Sequence, residues 1–410
     1  MATSISTKTP IGKAQRLKFI LILGSLSAFG PLSIDMYLPA LPTLAQNLNT
    51  TQPLAQLSLM ACLLGLALGQ LIAGPLSDIR GRRMPLIVAL VLYTIASLAC
   101  ALASSIWVLI ALRLVQGAAG AAGIVISRAT VRDLYAGKEL TQFFTMLMLV
   151  NGLAPILAPI FGGFILNFVD WRGVFWVLCV IGGMMLLAVM FALPETLERE
   201  RRSSGGLGDT LRTFGKLLRN RAFIGYALCQ AFVMAAMFAY ISGSPFVIQD
   251  LFGVSPQGYS WFFAINGLGI VLFSQITGRL VYRVGESRLL VTGLLIAVIS
   301  GISLMVLTWI GGGLWSLAPF LFLIVASVGM LSSTTTSLAM QSQEPRTAGS
   351  ASALIGLMPL LFGAGATPLV GLGSGTTAFP MGLVIGIAEL LALISYLIFV
   401  LPASRSKSFS

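Results

Sequence analysis

Asp35, Arg113 and Glu389 are ionisable side chains set inside long apolar runs. A charge at the centre of a bilayer costs about 2.5–3.5 kcal/mol on insertion scales, so such groups face a cavity, find partners or carry protons. Asp35 lies toward the outer end of the first run. Arg113 opens the outer third of the fourth, which runs the opposite way, so the two share a depth and can meet directly or through water. A purely structural salt bridge is the alternative. Desolvation opposes the charge on Asp35 and Arg113 favours it, so proton exchange at Asp35 can respond to a ligand or to the facing of a cavity. Glu389, mid-way along the last run, reads as a neutral carboxyl held by a hydrogen bond to a neighbouring helix.

Arg113, Gln116, Gly117 and Gly120 fall on one helical face, and Asn151, Pro155 and Pro159 on another. Polar groups, glycines and kinking prolines suit a closely packed, water-lined seam, although helix packing alone accounts for glycines. Phe238, Tyr240 and Ser242 in the seventh run, and Trp261, Phe262, Phe263 and Asn266 in the eighth, read equally as interfacial anchors or as pocket walls. The segment Gly74-Pro-Leu-Ser-Asp78-Ile-Arg80-Gly81-Arg82-Arg83 puts glycines where helix ends approach and offers a carboxylate and arginines for pairing across a seam, a gate at that end. An ordinary basic loop that sets topology is the alternative, and the Gly-Pro-x-x-Asp prefix with the following Gly-Arg-Arg makes it the weaker one.

The elements that position these residues are membrane spans. About 20 apolar residues cross a bilayer as a helix. Twelve such runs are present, at 19–39, 55–76, 84–103, 106–127, 142–167, 173–193, 222–248, 260–280, 288–310, 315–338, 350–371 and 379–401. Of the 25 basic residues, all but Arg113 and Arg172 fall in the tails and alternate links on one side. By the positive-inside rule that side is cytoplasmic, both termini included. The first run is taken as a retained span, since no small-residue cleavage site follows it. Gly74, Leu76 and Gly81 after the second span match Gly278, Leu280 and Gly285 after the eighth, half a chain apart. Parallel repeats of this kind frame a central cavity. The expected fold is all-α: an integral membrane protein of twelve transmembrane helices in two pseudo-symmetric six-helix bundles, residues 1–193 and 222–410, joined by a cytoplasmic linker at 194–221.

Composition agrees. Hydrophobic residues make up 57% of the 410 and charged residues only 9%, against about a quarter charged in soluble chains. The net charge of +12 is a topology signal and an attraction to anionic lipid, with no nucleic-acid partner implied. No histidine is present, and the four cysteines lie in apolar runs without a CxxC pair, so neither metal site nor cofactor is expected. No Walker loop points to ATP, no charge ring or filter repeat to a channel, and no cluster of polar residues within the spans to an enzyme.

The Gly74–Arg83 segment resembles the loop signature of the major facilitator superfamily, in its drug:proton antiporter branch. Arg113-Leu-Val-Gln116-Gly117 is similar to that branch's fourth-span motif, and Asn151 through Pro155 and Pro159 to Gly162-Gly163 to its antiporter motif. Asp35-Met-Tyr37-Leu-Pro-Ala-Leu-Pro42 and Val131-Arg-Asp133-Leu-Tyr135 look like the Bcr/CflA subgroup, associated with resistance to bicyclomycin, chloramphenicol and related drugs. Ile79 stands where the branch usually has Arg, and Ala158 where it usually has Gly. The resemblance implies a monomeric inner-membrane exporter of amphipathic drugs in exchange for protons. Asp35 and Arg113 would couple the proton. Gly74, Asp78, Arg80, Gly81, Arg82 and Arg83 would form the cytoplasmic gate, and Pro155, Pro159, Gly162 and Gly163 the antiporter motif. Tyr37, Gln116, Asn151, Tyr240 and Asn266 would line the substrate cavity. The alternative is a proton-coupled symporter or facilitator for a small nutrient.

Overall fold

A computed structural model describes residues 13–135, 137–202, 207–343, 347–371 and 377–402. Most of both tails, and Arg346, lie outside the described residues, although they contribute to the charge pattern. Helices follow in the order α1 Lys13–Ser27, α2 Phe29–Asp35, α3 Leu41–Asn47, α4 Gln52–Arg80, α5 Arg83–Ala101, α6 Ile106–Leu134, α7 Gly137–Ile165 and α8 Arg172–Ala192. After the linker helix α9 (Leu207–Arg219) come α10 Arg221–Pro245, α11 Pro256–Val284, α12 Glu286–Trp309, α13 Leu314–Gln341, α14 Ala348–Val370 and α15 Phe379–Ser395. No strand occurs among the described residues. Eleven helices are long and apolar enough to cross a membrane, or twelve when the bent pair at the start of the chain is one span.

That first span departs from the expected continuous helix over 19–39. It breaks after Ser27, bends by 40° and continues to Asn47. The Gly30-Pro31 pair and Pro39 and Pro42 explain this, because prolines cannot donate to the helical ladder and clash with the preceding turn. Asp35 therefore ends α2 at a second interruption of the helix, after the bend that follows Ser27 and before the span's last stretch to Asn47. The fourth span also runs further than the apolar run at 106–127. Its helix continues through Leu134, so Arg128 belongs to the helix and not to the loop.

The packing repeats along the chain. α4 packs on α6 as α11 packs on α13, and α5 on α8 as α12 on α15. A Cβ at Gly117 of α6 would meet the Cys62 carbonyl of α4 at 2.2 Å, and one at Gly329 of α13 would meet the Ile270 carbonyl of α11 at 2.1 Å. Only glycine lets these backbones touch. Gly81 and Gly285, matched in the sequence, both turn the chain at a helix end with positive φ, +92° and +85°, a conformation that side chains oppose.

α9 is basic and amphipathic. It buries Phe214 and Leu217 against the ends of α10 and α14 and leaves Lys216 and Arg219 exposed.

Candidate functional site

A cavity of about 410 Å³ opens among α1, α2, α4, α6, α7, α10, α11, α13 and α14. Its wall is mostly apolar, with Met234, Met237, Phe238 and Phe263 from α10 and α11. The polar groups that reach it include Asp35, Gln70, Arg128, Asn151 and Tyr240. Asp35 is the only carboxylate among the described lining residues. Asn151 donates through Nδ2 to its own helix at Leu147 O, 2.8 Å, which leaves its carbonyl oxygen for the cavity. Pro155, one turn on, also lines the wall.

Several expected lining residues sit behind the wall. Tyr37 is fully buried, its hydroxyl 2.7 Å from Ser58 Oγ. Asn266 donates to the Tyr240 hydroxyl at 2.8 Å, and so sets the orientation of the tyrosine that does reach the cavity. Asn266 also lines a separate lateral groove of about 630 Å³ between α11 and α13, with Trp261, Phe262 and Trp315. The aromatics of the seventh and eighth spans thus divide, with Phe238, Tyr240 and Phe263 on the cavity and Trp261 and Phe262 on the groove.

Arg113 and Asp35 share a depth but form no ion pair. Arg113 is fully buried. Its Nη2 donates to Ser33 O at 2.8 Å and its Nη1 to Gln116 Oε1 at 2.5 Å. Its guanidinium carbon lies 4.9 Å from the Tyr37 ring centroid and 5.6 Å from that of Phe175. Gln116 in turn donates to Ser97 Oγ at 2.8 Å. The break after α2 leaves its last carbonyls without helical partners, and a cation is favourable there. Arg113 takes the Ser33 carbonyl and therefore fixes the end of the short helix that carries Asp35. Of the two expected pairings the direct one is not made: the two residues are linked through backbone, with Gln116 holding the arginine.

The glycine pair of the seventh helix closes the cavity at the end opposite the basic loops. A Cβ at Gly162 would lie 2.0 Å from Met36 O, and one at Gly163 2.4 Å from Ser260 Oγ. The broken first span and α11 therefore seat directly on α7, while Pro159 lies buried in the same helix. At this end Gln257 Nε2 donates to Asn167 Oδ1 at 2.7 Å and to Gly163 O at 3.1 Å. Gln56 Nε2 reaches Ser242 O at 3.0 Å, and Gln249 Nε2 reaches Pro39 O at 3.3 Å.

At the basic end, Arg82 is the hub of the Gly74–Arg83 segment. It donates to Asp78 at 2.5 Å, Ser77 Oγ at 2.8 Å and Asp133 at 2.9 Å. Arg83 reaches Met190 O at 2.6 Å. These bonds tie the ends of α4, α5, α6 and α8 to one another, so the arginines pair among the first six spans and not across a seam to the last six. Arg80 and Ile79 line a side pocket with Arg202. Glu195 is a partner that sequence reasoning missed. Its carboxylate accepts from the backbone N–H groups of Arg82 and Arg83, at 2.8 and 3.2 Å, and so caps α5. Burial opposes its charge, but those bonds and two more from Leu197 and Thr196 outweigh it and hold the carboxyl below the usual range. An acid just past Pro194 at a span's end was the available signal. A Cβ at Gly81 would lie 2.4 Å from this carboxylate.

Glu389 is fully buried in α15 against Gly301 of α12. Neither carboxyl oxygen has a hydrogen-bond partner, so the expected bond to a neighbouring helix is not made. The facing surface there is glycine, which offers no side-chain donor.

An all-helical bundle with a cavity at its centre, walled by both halves of the sequence and closed at one end, is the architecture of a membrane transporter. The chain belongs to the Major Facilitator Superfamily, whose model matches residues 23–368. It is 44% identical to the uncharacterized MFS-type transporter YdgK of Bacillus subtilis (strain 168), over 94% of this chain and 96% of that protein. It is 31% identical to a bicyclomycin resistance protein homolog of Haemophilus influenzae, over 92% and 95%. To a chloramphenicol resistance protein of Pseudomonas aeruginosa it is 33% identical, over 67% and 65%. The fold is similar to that of the nucleoside transporter NupG, with TM-score 0.76 at 14% identity over 94% of this chain and all of that one. It is also similar to that of the xylose transporter XylE from E. coli, with TM-score 0.71 at 16% identity over 95% and 98%.

Proposed function

We propose that this transporter exports amphipathic small molecules, drugs among them, in exchange for protons. Residues 1–193 and 222–410 would rock about the central cavity, with 194–221 as the linker, in the inner cell membrane with both termini cytoplasmic. The observation that carries the reading is Asp35: the one carboxylate among the described cavity-lining residues, at a break in its helix, in a wall otherwise mostly apolar. The names of the bicyclomycin and chloramphenicol resistance relatives support a drug as cargo.

Facing the proton-rich outside, Asp35 takes up a proton and the drug leaves. Facing the cytoplasm, it gives up the proton and the next drug binds. Drug and proton compete for one site, and obligatory exchange follows. Arg113 is a positioning residue in this scheme, since it fixes the end of α2. The glycine seats at 162 and 163 form the outer closure. The test is drug-induced proton release from purified protein in detergent. The wild type should release protons on adding drug, and Asp35→Asn should release none while remaining folded. Equal release from both would overturn the assignment.

A further inference from the structure

The cavity holds a second charge that the exchange scheme does not use. Arg128 lies in α6, and its side chain lines the same cavity as Asp35. It makes no ion pair and no hydrogen bond among the described residues. A basic residue near a span's end ordinarily sets topology and snorkels to the lipid headgroups. Arg128 is exposed and lines the same cavity, whose wall also includes Gln70 and Gly356.

The depth of the two charges follows from the helices. Arg113 touches Ser33, two residues from Asp35. Arg128 is fifteen residues further along α6, which at 1.5 Å per residue is about 22 Å along the axis. Even with the reach of an arginine side chain, that is too far for a direct pair with Asp35. The cavity therefore has an acid at its closed end, a cation toward its basic end, and methionine and aromatic walls between them. An unpaired cation on a mostly apolar wall is a recognition element for an anionic oxygen, and arginine's fork fits a carboxylate in bidentate fashion.

We propose that Arg128 is a substrate-binding residue that reads an acidic group, and that the cavity takes zwitterionic amphiphiles. Their basic nitrogen meets Asp35 and their acid meets Arg128 across an apolar body. The inference rests on the reading of this cavity as the exchange site. It also explains how an acidic substrate remains compatible with exchange. The nitrogen competes with the proton at Asp35, while the acid binds a group that never titrates in the working range.

The test uses 11-aminoundecanoic acid and its methyl ester, which keep the ammonium group and the chain and differ only in the carboxylate. Calorimetric titration into purified full-length protein, with a detergent blank subtracted, measures both. The wild type should bind the amino acid about tenfold more tightly than the ester, as expected of one charge-assisted contact. Arg128→Gln should bind the two equally, with ester affinity unchanged, and Arg128→Lys should keep part of the preference. A wild type without the preference, without binding of either compound, or an Arg128→Gln protein that retains the preference would each overturn the proposal. Asp35→Asn separates the two readings. If it leaves drug-induced proton release intact while the Arg128-dependent preference persists, the exchange role of Asp35 falls and the acid-binding role of Arg128 stands.

Discussion

Two carboxyl groups outside the cavity make opposite predictions about stability. Glu195 is charged and capped by backbone N–H groups, with a carboxyl held below its usual range. A depressed acid contributes stability that is present above its unfolded value, about 4.3 for Glu, and is lost as pH falls through the folded value. Glu195→Ala should therefore lower stability by about 1 kcal/mol at pH 7, the scale of a helix cap. The gap to wild type should close below about pH 4. Thermal midpoints measured across that range check it, and a gap that does not change with pH would remove the capping account. Glu389 is the reverse case, because neither of its buried oxygens is satisfied. Replacing an unsatisfied polar group by an apolar one of similar size is neutral or stabilising. Glu389→Leu should keep or raise the thermal midpoint and retain transport. A folded Glu389→Leu protein that no longer exports against a proton gradient would show that this carboxyl takes part in the cycle.

At the scale of the helix, close approach decides. Gly162 receives the broken first span, and a methyl group there would lie 2.0 Å from the Met36 carbonyl. Gly152, on the same helix, has nothing within 4 Å. Overpacking of this kind costs about 1–3 kcal/mol. Gly162→Ala should thus destabilise this closed arrangement by that order and raise the thiol reactivity of a cysteine placed at Met36, whereas Gly152→Ala should do neither. Equal behaviour of the two variants would show that the Gly162 contact does not hold the outer closure. The same element-scale logic explains Arg113, which serves the end of α2 and reaches Asp35 only through it.

For the whole molecule, the basic residues fall on alternate links, and the basic linker helix packs its apolar face on the bundle. Lys216 is exposed on that helix. A cysteine at 216 should react with an impermeant maleimide only from the cytoplasmic side of oriented vesicles. Labelling from outside would invert the topology and, with it, the direction of transport.

The sequence by itself determined the fold class and the identity of the acid on the cavity wall. Both follow from local chemistry: twenty-residue apolar runs fit only membrane helices, and an acid within one of them needs a reason to be there. The matched glycines at 81 and 285 were legible too, because a helix end with positive φ selects glycine whatever surrounds it. Partnership was not legible. Tyr37, Gln116 and Asn266 carry the right polarity for a cavity wall but lie behind it, since a small rotation of a helix about its axis moves a side chain from cavity to core without changing the pattern. Arg113 and Asp35 have matching depth and opposite charge, yet only the tertiary structure shows that prolines break the first span and leave a carbonyl for the arginine. Arg128 read as a loop residue because the apolar run ends before it. The helix continues regardless, and only the packing of α6 against α1 and α4 decided that this charge faces the cavity.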